Sequence, residues 1–189
     1  MRLLHIIMAA ITIAFGVGLL MWRHHGGVDL ETAVETTRIA LEKIDAQIKF
    51  RAAVSRVHEA TGGETTPDQL AATGEPDLTT PVNQRGWPMT IEPEWFGTKP
   101  PLNALTIPGC PWVEIASGEE LLLTNPRIRV ALDRNVAAFW YNPALGIVRA
   151  RVGPTATDVQ AVDLYNRVNA TAIVAIVDAP EFDLSVLER

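Results

Sequence analysis

Apolar residues fall along this chain in three successive patterns. From Leu3 to Trp22 they are nearly continuous, with one histidine, one threonine and no formal charge. At about 1.5 Å of rise per residue the run makes about 30 Å of helix, the thickness of a bilayer's hydrocarbon core. Leu3, Ile7, Ile11, Phe15 and Leu19 recur along it every fourth residue, and Trp22 with Arg23, His24 and His25 closes it as an interfacial anchor would. Residues 1–25 are therefore expected to form a transmembrane anchor in contact with membrane lipid. A cleaved signal peptide competes with this, because Ala14-Phe15-Gly16 sets small residues where a signal peptidase reads. Cleavage there would leave a mature chain opening on the apolar Val17 to Trp22. With almost no chain before the run, the expected orientation is N-terminus inside and the remainder extracytoplasmic, as for a single-pass protein of a bacterial inner membrane.

The second pattern is periodic. After Gly26-Gly27, Leu30, Val34, Thr37, Leu41, Ile44 and Ile48 alternate by four and three, the spacing of a heptad seam, and no proline or glycine interrupts the chain before Thr61. Past Ile48 the stripe drifts to Ala52 or Phe50, Val54 and Val57, as on an untwisted helix. Residues 26–61 thus predict one amphipathic helix. Its later half is expected to pack on its own domain, and its first half, with Leu30 and Val34, to meet other subunits.

The third pattern, over residues 62–189, mixes loop and strand signals. Thr66 and Pro67 look like the start of a short helix. Residues 73–111 hold eight prolines and four glycines and predict a loop, fastened to the domain by Trp87, Trp95 and Phe96. Short runs at 112–115, 120–123, 128–132, 136–141 and 147–152 read as strands, and Asn142 to Gly146 as a hairpin loop with Gly146 supplying positive φ. A helix is expected from Thr157 to about Val168 and a final strand over 171–177. The fold class expected is α+β: an N-terminal transmembrane helix, then a long amphipathic helix packed on a small antiparallel sheet.

Composition narrows the function. The net charge is −6 and no basic patch is interleaved with aromatics, which argues against nucleic acid as a partner. Cys110 is the single cysteine, so no intrachain disulfide forms. No phosphate loop, dinucleotide fingerprint, metalloprotease motif or nucleophile elbow occurs. His24-His25 and His58 lack companion ligands. Glu92 and Glu94 around Pro93 read as loop carboxylates rather than an acid–base pair. Arg127, Arg129, Arg149 and Arg151 alternate and are expected on a solvated sheet face, the other reading being an acidic partner. The triplet Asn169-Ala170-Thr171 matches a glycosylation sequon, a pattern that arises often by chance. No catalytic residue, cofactor or metal is expected.

Two local stretches carry a family likeness. Pro100-Pro101-Leu102-Asn103-Ala104-Leu105 resembles the proline–x–asparagine–proline–leucine turn that follows the helical half of many pseudopilins. Phe139-Trp140-Tyr141-Asn142-Pro143-Ala144-Leu145-Gly146-Ile147 is similar to their tryptophan–tyrosine–x–proline–x–x–glycine hairpin, with Trp140, Tyr141, Pro143 and Gly146 on the matching positions. With the order of elements, these resemble the type IV pilin and type II secretion pseudopilin family over about residues 3–60 and 98–152. The family's processing site and the glutamate within its apolar segment have no counterpart here, and Ala104 stands where a proline is expected. The resemblance implies a membrane-anchored, non-enzymatic, pilin-like fold whose partners are other pilin-like or secretion-system subunits, met through Leu30, Val34, Leu41, Ile44 and Ile48. A lone tethered adaptor domain is the alternative. A secreted hydrolase with a removed signal peptide is the second.

Overall fold

In a computed structural model, residues 29–60 and 80–176 of the protein are described, with side chains for 30–56 and 80–176. The anchor residues Leu3 to Trp22, the histidine pair and the expected helix at Thr66 lie outside them. The chain divides into two compact units, residues 1–33 and 34–189. Of the first, the described part is the opening turn of the long helix α1, Asp29–Ala60.

Within the second unit, α1 buries one stripe, Val34, Thr37, Ala40, Ile44, Ile48 and Ala52. The steps of three and four residues follow the 3.6-residue turn. Three strands form the sheet: β1 (Val113–Ile115), β2 (Phe139–Asn142) and β3 (Ile147–Ala150). The central β2 is buried along its whole length. Phe139 and Tyr141 join the α1 stripe in the main core, while Trp140, one residue out of phase, packs on Ala116 and Leu123 in a second cluster. That division is the period-2 alternation of a strand covered on both faces. Helix α2, Asp158–Asn169, is capped by Thr157, whose hydroxyl accepts from the Gln160 N–H, and it lays Leu164, Tyr165 and Val168 into the same core beside β3.

The architecture corrects the expected one. The sheet is mixed, not antiparallel: β2 and β3 form the hairpin, but β1 runs parallel to β2, with Val113 opposite Phe139. A two-residue turn cannot make a parallel pair, and residues 116–138 supply the long crossover. Nor is any helix among the described residues long and apolar enough to cross a membrane. Helix α1 has the length but carries Glu31, Glu35, Arg38, Glu42, Lys43, Asp45 and Lys49. Among the described residues, two α-helices and a three-stranded mixed sheet therefore stand in place of the expected antiparallel sheet.

Three expected strands dissolve for local reasons. Glu120 to Leu123 falls largely in a 3-10 helix, Gly118–Leu122, being the one run without β-branched or aromatic residues. Residues 128–132 make a single parallel bridge, Val130 to Val152, because β3's extension ends at Gly153-Pro154 and proline has no N–H to continue a ladder. Among the described residues no strand pairs with 171–176; Asn166 and Arg129 take up backbone groups of Ile173 and Ala175 instead.

The arginines expected on a solvated face are mostly inside. Arg129 and Arg151 are buried and Arg149 is largely so, its pKa lowered by burial despite the opposing influence of Tyr165 and Asp45. The sequon is closed: Asn169 is buried, donating to Ala150 O and Tyr165 O and accepting from the Ala150 N–H.

Candidate functional site

The proline-rich stretch meets α1 through hydrogen bonds, and the hairpin is tied to the loops beside it. Asn103 is buried where the turn crosses the helix. Its side-chain amide donates to Ala138 O at 2.8 Å and Arg151 O at 2.7 Å, and its carbonyl oxygen accepts from Thr37 Oγ1 and the Leu105 N–H. Thr37 Oγ1 in turn accepts from the Ala104 N–H at 3.0 Å. One asparagine thus ties the proline-rich segment to the helix and to the end of the sheet. A hydrophobic residue could not do this, since it would leave Arg151 O without its donor and the Leu105 N–H and Thr37 hydroxyl without their acceptor.

The hairpin is held equally firmly. Asn142 is buried at the end of β2 and donates to Glu120 O, Leu121 O and Leu123 O, pinning the 3-10 segment. Asn83 Nδ2 donates to Pro143 O, and Tyr141 Oη donates to Pro88 O at 2.8 Å. Burial raises the Tyr141 pKa, so the phenol stays a donor. Gly146, at φ 67°, lies under the ring of Trp87. A Cβ there would fall 2.6 Å from Cε2 and 2.7 Å from Cε3 of that ring. Gly146→Ala is therefore expected to lower the melting temperature by about 5–10 °C by calorimetry, combining steric overlap with left-handed strain.

Beside the Asn103 turn, α1 presents a second stripe outward. Ile39, Lys43, Ala46 and Phe50 share one face, and Phe96, Lys99, Pro100, Pro101 and Leu102 stand opposite. Between them runs a groove of about 730 Å³. Ile39 is 43% exposed, Phe50 48% and Leu102 70%. Among the described residues that line it, Lys43 and Lys99 carry the charges. The far wall is fixed: Phe96 packs edge-on to Trp112, whose Nε1 donates to Pro101 O, and Arg51 lies 4.2 Å over the Trp95 ring.

The residues expected to form a helix interface are placed differently from one another. Val34, Ile44 and Ile48 are in the core and Leu41 packs half-buried against it, whereas Leu30 is half-exposed. Trp140, Tyr141, Pro143 and Gly146 are buried within the hairpin. Glu92 and Glu94 are exposed, and Cys110 is half-buried with its thiol 3.7 Å from Asp133 O. Among the described residues no three His, Cys, Asp or Glu side chains gather as a metal site. The groove itself was not read from the sequence. Its signal was the step of four, three and four from Ile39 to Phe50, a second face beside the stronger heptad stripe. No family model, curated protein or solved structure matches the chain.

Proposed function

We infer that this chain is a non-enzymatic, pseudopilin-like subunit of a membrane-associated assembly, joined to neighbouring subunits through the outer face of α1. The observation that carries the reading is the exposed apolar groove of Ile39, Phe50 and Leu102 along a helix whose other face is already committed to its own core. An apolar stripe left on a helix that has filled its core is a place for another helix. Lys43 and Lys99 at the groove favour an acidic neighbour, and α1 itself carries Glu35, Glu42 and Asp45 toward solvent or part-exposed. Of the two stretches that carry the likeness to pseudopilins, the Asn103 turn ties the groove's far wall to α1, and Phe139 at the start of the hairpin stretch backs that wall through Trp112.

Single cysteines at Ile39 and Phe50, in a chain with Cys110→Ser, should give disulfide dimers or heterodimers in the membrane fraction of cells. Phe50→Glu, facing solvent, should abolish the crosslink at position 39 while leaving the melting temperature within about 2 °C. Absence of any crosslink at both positions would rule out assembly through this face.

A further inference from the structure

The four arginines expected at the surface have unequal partners in the fold: two of them, Arg129 and Arg149, meet no carboxylate of the described residues, and of the four Arg129 alone is also left with an unpaired buried N–H. Arg151 pairs with Glu114 at 2.8 Å and also donates to Ile128 O and Ala137 O. Arg149 Nε donates to Asn125 Oδ1. Arg127 meets Glu119 at 2.9 Å, in an exposed pair. Arg129, 3% exposed, donates from Nη1 to Ala175 O at 2.8 Å, but its Nε has no hydrogen-bond partner and no carboxylate of the described residues lies within ion-pair distance. A buried guanidinium without an anion is costly to keep, more so in a chain that has acidic residues to spare.

Arg129 lines a cleft of about 280 Å³. Arg127 adds donors to its wall, and Ile128 and Leu132, 56% and 70% exposed, supply an apolar wall. Among the described residues Asp158 is the one carboxylate lining it, and it pairs with neither arginine. We propose that this cleft is a binding site for a carboxylate carried on a short apolar stem. The planar fork of a guanidinium matches a carboxylate's two oxygens, and the neighbouring apolar wall suits a stem of a few carbons. The volume is that of a small site, too narrow for a protein element.

Such a carboxylate has two sources: a free ligand, or an acidic residue of this chain, since Ile176 lines the cleft and Asp178 and Glu181 follow it in sequence. Titrating the full-length protein with hexanoate, followed by calorimetry, separates them. Saturable binding that hexanol does not reproduce, weakened roughly tenfold or more by Arg127→Gln and by Leu132→Glu, marks a free-ligand site. Both variants alter exposed side chains, and a near-UV spectrum like the wild type's verifies their fold. Should wild type fail to bind while Asp178→Asn/Glu181→Gln binds, the chain's own carboxylate fills the cleft. Failure of hexanoate to bind both proteins, or equal binding of hexanol, would overturn the proposal.

Discussion

Ile44→Lys is expected to leave the domain without a cooperative thermal transition. Ile44 is 1% exposed and belongs to the same buried apolar cluster as Phe139, Tyr141, Val148 and Tyr165. The substitution removes a packed side chain and puts an ammonium in its place with no partner. Each mechanism belongs to those that exceed about 4 kcal/mol, against a total stability of about 5–15 kcal/mol for a domain. Circular dichroism and the near-UV bands of the buried Trp140 are the readouts. Ile39→Lys, five residues earlier and on the groove side, is the control: the added charge meets water, and the melt should shift by no more than about 2 °C. A cooperative wild-type-like melt for Ile44→Lys would mean that α1 does not close the core.

Asn103→Leu is the second large effect. Leucine is close in size but leaves Arg151 O without its buried donor and strips Thr37 Oγ1 and the Leu105 N–H of their acceptor. Ala138 O keeps its bond from the Arg151 N–H, so the loss is partial there. At about 1–3 kcal/mol for each buried group left unpaired, a destabilisation of about 3–5 kcal/mol follows, or a melting temperature lower by roughly 10 °C. Asn103→Asp should be as damaging, because it keeps the acceptor but has no amide to donate. Urea titration gives the size, and an unchanged midpoint would show that the turn is not the tie described above.

Much of the core was legible in the sequence because periodicity reports burial directly. The stripe of Ile44 and Ile48, the Asn142–Gly146 hairpin and the α2 start at Thr157 follow from local rules that need no partner, whereas Val34, expected to meet other subunits, lies in the chain's own core. What escaped were decisions made at a distance. The parallel alignment of β1 with β2 depends on how residues 116–138 cross over, and no pattern in Trp112 to Ile115 encodes it. Alternating arginines look the same whether the face is wet or dry; here Glu114, Asn125 and several carbonyls reach them only after folding. Asn103 stood out through likeness to a known turn, but three of its four hydrogen bonds join segments 35 to 66 residues away. The groove escaped because a weak apolar face at Ile39 and Phe50 is overshadowed by the stronger one on the same helix.

The position of α1 at the start of the fold has a consequence for how the protein is made. Roughly ninety residues separate Ile48 from Phe139, the strand residue that shares its core. At about 5–20 residues per second of synthesis, the inner stripe of α1 waits several seconds before β2 and β3 exist to cover it. The hairpin, whose strands are four residues apart, closes within microseconds once made. Birth order and folding order are therefore opposed: the first helix is finished last, and until then the nascent chain shows two apolar faces, one that will disappear and one that will not.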